Sequence, residues 1–112
     1  MPVRIAVVDD DAGFRRVAGL VLAARGYEVV GEAADIASGY TLIATTHPDT
    51  ALIDYHLPDG NGSELCALVR TLAYVPRMLI VSSDASVVTA TGDDTPIIAK
   101  ERLASIDVNA YL

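Results

Sequence analysis

The sequence predicts an α/β domain in which a parallel sheet of five strands carries helices on both faces. Three observations lead there. Five short, apolar, β-branched runs alternate with segments whose apolar residues recur at helical spacing. The runs lack the apolar/polar alternation of a half-solvated sheet, as suits strands buried on both faces. The alternation itself makes βαβ units, in which successive strands lie parallel and helices cover the sheet.

Residues 3–8 are the first strand-like run. In the helical segment that follows, Phe14, Val17, Val21 and Ala24 recur at i, i+3, i+7 and i+10, while Arg15, Arg16 and Arg25 point elsewhere. Gly26 is its stop. Residues 27–33 are the second strand. Residues 36–46 read as the second helix, capped by Asp35 and ended ahead of His47-Pro48, because a residue preceding proline is driven out of the helical region. The third strand spans 50–53, and the third helix, 63–72, carries Leu65, Leu68, Val69 and Leu72. Residues 78–81 and 97–99 complete the sheet, with a short fourth helix at 85–91 and a fifth at 102–112.

Composition narrows the function classes. The 112 residues, 52% apolar and 21% charged, suffice for one domain with its own core and leave no material for a second. A net charge of −7 argues against direct nucleic-acid binding by this domain, since phosphate contacts need clustered Lys and Arg. The longest uninterrupted apolar stretch, 17–24, is far short of a membrane span, and the N-terminal residues lack the layout of a signal peptide. Cys66 is the only cysteine, so no internal disulfide is expected and a reducing cytoplasm is the expected compartment.

In parallel α/β sheets, chemistry gathers beyond the carboxyl ends of the strands. Asp9, Asp10 and Asp11 follow the first strand, Asp54 the third, Ser82, Ser83 and Asp84 the fourth, and Lys100, the chain's only lysine, the fifth. Taken singly, these are helix caps, turn residues and a surface charge. Their joint placement at four strand ends outweighs that reading. Clustered carboxylates repel one another and call for a compensating cation. An all-oxygen set with room for water suits Mg²⁺. An ammonium and a hydroxyl beside such a cluster make a receptor for a phosphoryl group, with one carboxylate as nucleophile.

The strings Val7-Val8-Asp9-Asp10-Asp11, Leu52-Ile53-Asp54-Tyr55-His56-Leu57-Pro58-Asp59-Gly60-Asn61-Gly62, Val81-Ser82-Ser83 and Ile97-Ile98-Ala99-Lys100 together resemble a bacterial two-component response-regulator receiver domain. The match runs in order along the chain. It implies a flavodoxin-like fold, a five-stranded parallel sheet of order 2-1-3-4-5 with helices on both faces. It implies that Asp54 is the phospho-acceptor, that Asp10 binds Mg²⁺ directly and Asp9 mainly through water, and that the main-chain carbonyl of His56 is a further metal ligand. Ser82 would hydrogen-bond the phosphoryl oxygen, Ser83 would be the small neighbour, and Lys100 would pair with the phosphoryl group. The implied partner is a sensor histidine kinase or phosphotransfer protein. The implied chain is a monomer or weak homodimer whose residues 1–112 were cut from or joined to a C-terminal effector domain, with transcriptional output in the longer chain. No enzymatic turnover is implied beyond Mg²⁺-dependent self-phosphorylation and self-dephosphorylation. The alternatives are a pseudo-receiver acting as a constitutive interaction domain and a small aspartate-based phosphatase.

Some positions depart from the family's pattern. Ile97 stands where a switching Tyr or Phe is usual, Glu101 where a proline commonly follows the lysine, and the 18 residues from Ser82 to Lys100 make the fourth helix short. Lys100, preceded by the apolar run Ile97-Ile98-Ala99, is expected to matter to signalling more than to folding.

Overall fold

The computed structural model describes residues 2–83 and 95–100. The helices expected at 85–91 and 102–112, with Asp84 and Glu101, lie outside the described residues. Along the chain run β1 (Arg4–Val8), α1 (Ala12–Ala24), β2 (Glu28–Ala33), α2 (Ile36–Thr46), β3 (Thr50–Asp54), β4 (His56–Leu57), β5 (Gly60–Asn61), α3 (Gly62–Val69), β6 (Arg77–Ser82) and β7 (Ile97–Ala99). The main sheet has the order β2-β1-β3-β6-β7, and every pairing in it is parallel. Counting only its own strands, this is the expected 2-1-3-4-5. The short antiparallel pair β4–β5 lies outside the sheet and shapes the loop between β3 and α3.

The pleat sends alternate residues of each strand to opposite faces. Ile5, Val7, Leu52, Leu79, Val81 and Ile98 pack with Ala18 and Leu22 of α1. Ala6, Val8, Ala51, Ile53, Ile80 and Ile97 pack with Ile36 and Ile43 of α2 and Leu65, Cys66 and Val69 of α3. Each fully buried Ile, Leu or Val stabilises the fold by roughly 1.5–3 kcal/mol before chain entropy is counted. The stretches 5–8 of β1, 51–53 of β3 and 78–81 of β6 are therefore apolar because both their faces are covered.

The structure departs from expectation in three places. β2 is half-exposed rather than covered on both faces, because it is the edge strand. In α1 the buried residues are Ala18 and Leu22 with Phe14 half-buried, whereas Val17 is 55% exposed. The inward stripe is thus Phe14–Ala18–Leu22, not Phe14–Val17–Val21–Ala24. The third helix starts at Gly62 and ends at Val69, burying Cys66 in place of Leu68. Among the described residues, no helix is long and apolar enough to cross a membrane.

Candidate functional site

Sheet order brings the candidate site residues together. β1, β3, β6 and β7 are successive neighbours, so the residues at their carboxyl ends share one edge. Asp9 follows Val8 of β1, Asp54 ends β3 and Ser82 ends β6; Ser82 is paired with Ala99, and Lys100 follows directly. Asp9, Asp54 and Ser82 are buried, Lys100 is half-buried, and Asp10 is exposed at the rim.

Lys100 is the electrostatic centre. Its Nζ lies 2.8 Å from Asp9 Oδ2 and 3.3 Å from Asp54 Oδ2. The same ammonium sits 4.6 Å from the centroid of the Phe14 ring, a cation–π placement that leaves Lys100 aimed at the carboxylates. Burial pushes the Asp54 carboxyl up to about 6; the neighbouring Asp9 charge adds to the rise, and Lys100 and the His56 N–H hold it back. Burial works against the charge of Lys100, but its hydrogen bond to Asp9 and the charges of Asp54 and Asp9 outweigh this and raise its pKa. Lys100 is thus the counter-ion of two buried carboxylates. That structural duty goes beyond the signalling role expected from its apolar neighbours.

Carboxylate oxygens of Asp9, Asp10 and Asp54 lie within 4.8 Å of one another. Asp9 Oδ2 is buried, and beyond the Lys100 ammonium it has no partner among the described residues. An all-oxygen donor set with an under-satisfied buried oxygen fits a hard divalent cation. Asp11 is not in this set. Its Oδ1 accepts from the N–H groups of Gly13 and Phe14 at 2.9 and 3.2 Å, which makes it the N-cap of α1.

The loop after β3 is held close to the site. His56 is exposed; its N–H donates to Asp54 Oδ1 at 3.4 Å, and it pairs with Asn61 across β4–β5. Tyr55 N–H donates to Val81 O at 2.8 Å, and Gly62 N–H to Tyr55 O at 2.7 Å. A Cβ on Gly62 would lie 2.6 Å from the backbone oxygen of Asp54, so α3 can begin this close to Asp54 only with glycine.

Sequence reasoning missed two groups here. Asp59, given no role of its own within the 52–62 string, accepts from Ile36 N–H at 2.8 Å and Ala37 N–H at 3.3 Å, capping α2 from 23 residues away. Arg15, placed merely off the apolar face of α1, donates through Nη1 to the main-chain oxygen of Asp9 at 2.6 Å and through Nε to Glu32 Oε1 at 3.0 Å. The Asp59 cap and the Arg15–Glu32 pair span 23 and 17 positions, and no local spacing signals them.

The response regulator receiver domain family matches residues 5–98. The chain is 38% identical over 82 residues to the DNA-binding transcriptional activator DevR/DosR of Mycobacterium tuberculosis, covering 72% of this chain and 38% of that protein. It is 33% identical over 117 residues to the response regulator MprA of Mycobacterium sp. (strain KMS), covering 98% of this chain and 42% of that protein. The chain therefore spans less than half the length of these curated relatives. Among solved structures, the signal receiver domain of NarL from M. tuberculosis superimposes with a TM-score of 0.82 at 28% identity, covering 98% of this chain and 96% of that one.

Proposed function

The chain belongs to the response regulator receiver domain family, and on that premise we propose that it is a phosphorylation-controlled signalling module whose acceptor is Asp54. The observation that carries this reading is the half-buried Lys100 ammonium, shared between the buried carboxylates of Asp9 and Asp54 at the strand ends. An Asp54 oxygen attacks the phosphorus of a phosphohistidine on a sensor histidine kinase or phosphotransfer protein. The new P–O bond forms as the P–N bond breaks, and its electron pair returns to the donor imidazole. A carboxyl with a pKa of about 6 is mostly ionised at neutral pH, so the nucleophile is ready. Lys100 turns from the free carboxylates to a phosphoryl oxygen, and the Ser82 hydroxyl donates to another. Asp9, Asp10, Asp54 and the His56 main-chain carbonyl would hold Mg²⁺, which neutralises charge on the phosphoryl oxygens. Water later hydrolyses the mixed anhydride, so the chain performs only self-phosphorylation and self-dephosphorylation.

Residues 1–112 are read as the receiver of a longer cytoplasmic regulator. A C-terminal effector would supply the DNA binding that the name of DevR/DosR states, because a net charge of −7 opposes phosphate contacts by this domain. The isolated receiver is read as a monomer or weak homodimer. Intact mass after incubation with Mg²⁺ and acetyl phosphate tests the assignment. One base-labile phosphoryl adduct is expected, absent in Asp54→Asn. Undiminished labelling of that variant would overturn it.

A further inference from the structure

We propose that Arg15, oriented by Glu32, is a positioning residue that holds the Asp9–Asp10 peptide so that the Asp10 carboxylate faces the cation site. The inference rests on the reading of that cluster as a divalent-cation site. Asp9 is tied down on nearly every polar atom. Its N–H donates to Ala33 O at 2.9 Å, its Oδ1 accepts from Asp11 N–H at 2.9 Å, and its Oδ2 pairs with Lys100. Its main-chain oxygen accepts from Arg15 Nη1 at 2.6 Å. That oxygen belongs to the peptide unit from which Asp10 departs. Asp10 is the one exposed member of the cluster, so its own burial does not orient it. Turning the Asp9–Asp10 peptide plane would carry the Asp10 carboxylate away from Asp9 and Asp54. The clamp is itself braced: Arg15 Nε meets Glu32 Oε1 at 3.0 Å, and the Arg15 side chain is only 20% exposed. A planar fork can engage the carbonyl at the end of β1 with one nitrogen and a carboxylate on edge strand β2 with another, whereas a lysine offers a single nitrogen.

Positioning and charge predict opposite signs. A guanidinium near an acidic site repels Mg²⁺, so by charge alone its removal tightens binding. If Arg15 positions Asp10, its removal weakens binding despite that gain. The experiment is calorimetric titration of Mg²⁺, without phosphodonor, into the parent chain, Arg15→Gln, Arg15→Lys and Glu32→Gln, each checked for a folded melt. Arg15→Gln should weaken Mg²⁺ binding roughly tenfold. Arg15→Lys, which keeps the charge but loses the fork, should also weaken it, and Glu32→Gln should do so less. Unchanged or tighter binding in Arg15→Gln, or parent-like binding in Arg15→Lys, would overturn the inference while leaving the receiver reading standing. A parent chain that neither binds Mg²⁺ nor labels at Asp54 would overturn both. Should Arg15→Gln fail to fold, the Arg15→Lys titration alone decides.

Discussion

At the scale of the residue, Asp54 meets two conflicting demands, burial and ionisation. An unfolded aspartate titrates near 3.9, whereas burial and Asp9 hold the folded Asp54 near 6. Between these values the folded chain binds the extra proton. Asp54 therefore subtracts stability as pH rises through that window, and the loss persists above it. Without divalent cations, Asp54→Asn should gain on the parent from about zero at pH 4 to on the order of 2 kcal/mol at pH 7. Denaturant melts across that range measure it, and a pH-independent difference would assign the strain to another group. Lys100 makes the opposite contribution. Lys100→Met leaves Asp9 and Asp54 buried with no counter-charge, and should cost about 3 kcal/mol in chelator-treated protein. Millimolar Mg²⁺ should recover most of the loss; a variant as stable as the parent in chelator would show that the carboxylates share a proton instead.

At the scale of the element, the N-terminus of α2 is capped twice, by Asp35 through the Ser38 N–H at 2.7 Å and by Asp59 through Ile36 and Ala37. Asp59→Ala should therefore cost about 1 kcal/mol in a thermal or denaturant melt. An unchanged melt would mean that Asp35 alone suffices. Only the local one of these caps could be read from sequence: Asp35 stands three residues ahead of its donor, whereas Asp59 arrives through the fold. The same division runs through the whole domain. Strands β1, β3 and β6 were legible because burial on both faces removes polar residues from the run. The inward face of α1 was not. Residues 17–24 are apolar nearly all round, so periodicity allows several stripes, and contact with the sheet selects Ala18 and Leu22. The strand-end residues were legible as a set because βαβ order predicts which ends meet. The Arg15–Glu32 link to Asp9 was not, because a salt bridge from helix to edge strand has no spacing signature.

At the scale of the whole molecule, three clustered carboxylates in a chain of net charge −7 would couple folding stability to any cation they hold. Above the dissociation constant, each tenfold rise in free Mg²⁺ should add about 1.4 kcal/mol of stability. NaCl at matched ionic strength should not, and Asp10→Asn should remove most of the effect. A Tm that follows ionic strength alone would reduce the linkage to screening. The sheet has a further consequence in time. Its order places β7 beside β6 at the end opposite β2, and Lys100 pairs with a carboxylate 46 positions earlier in the chain. During synthesis Asp9 and Asp54 are made before their counter-charge. Contacts this distant in sequence form only once the intervening chain has been ordered. A chain ending before β7 carries the Asp54 carboxylate without the Lys100 ammonium that offsets its charge. Its uncompensated carboxylates oppose the compact state, so incomplete products should fold less readily than finished molecules.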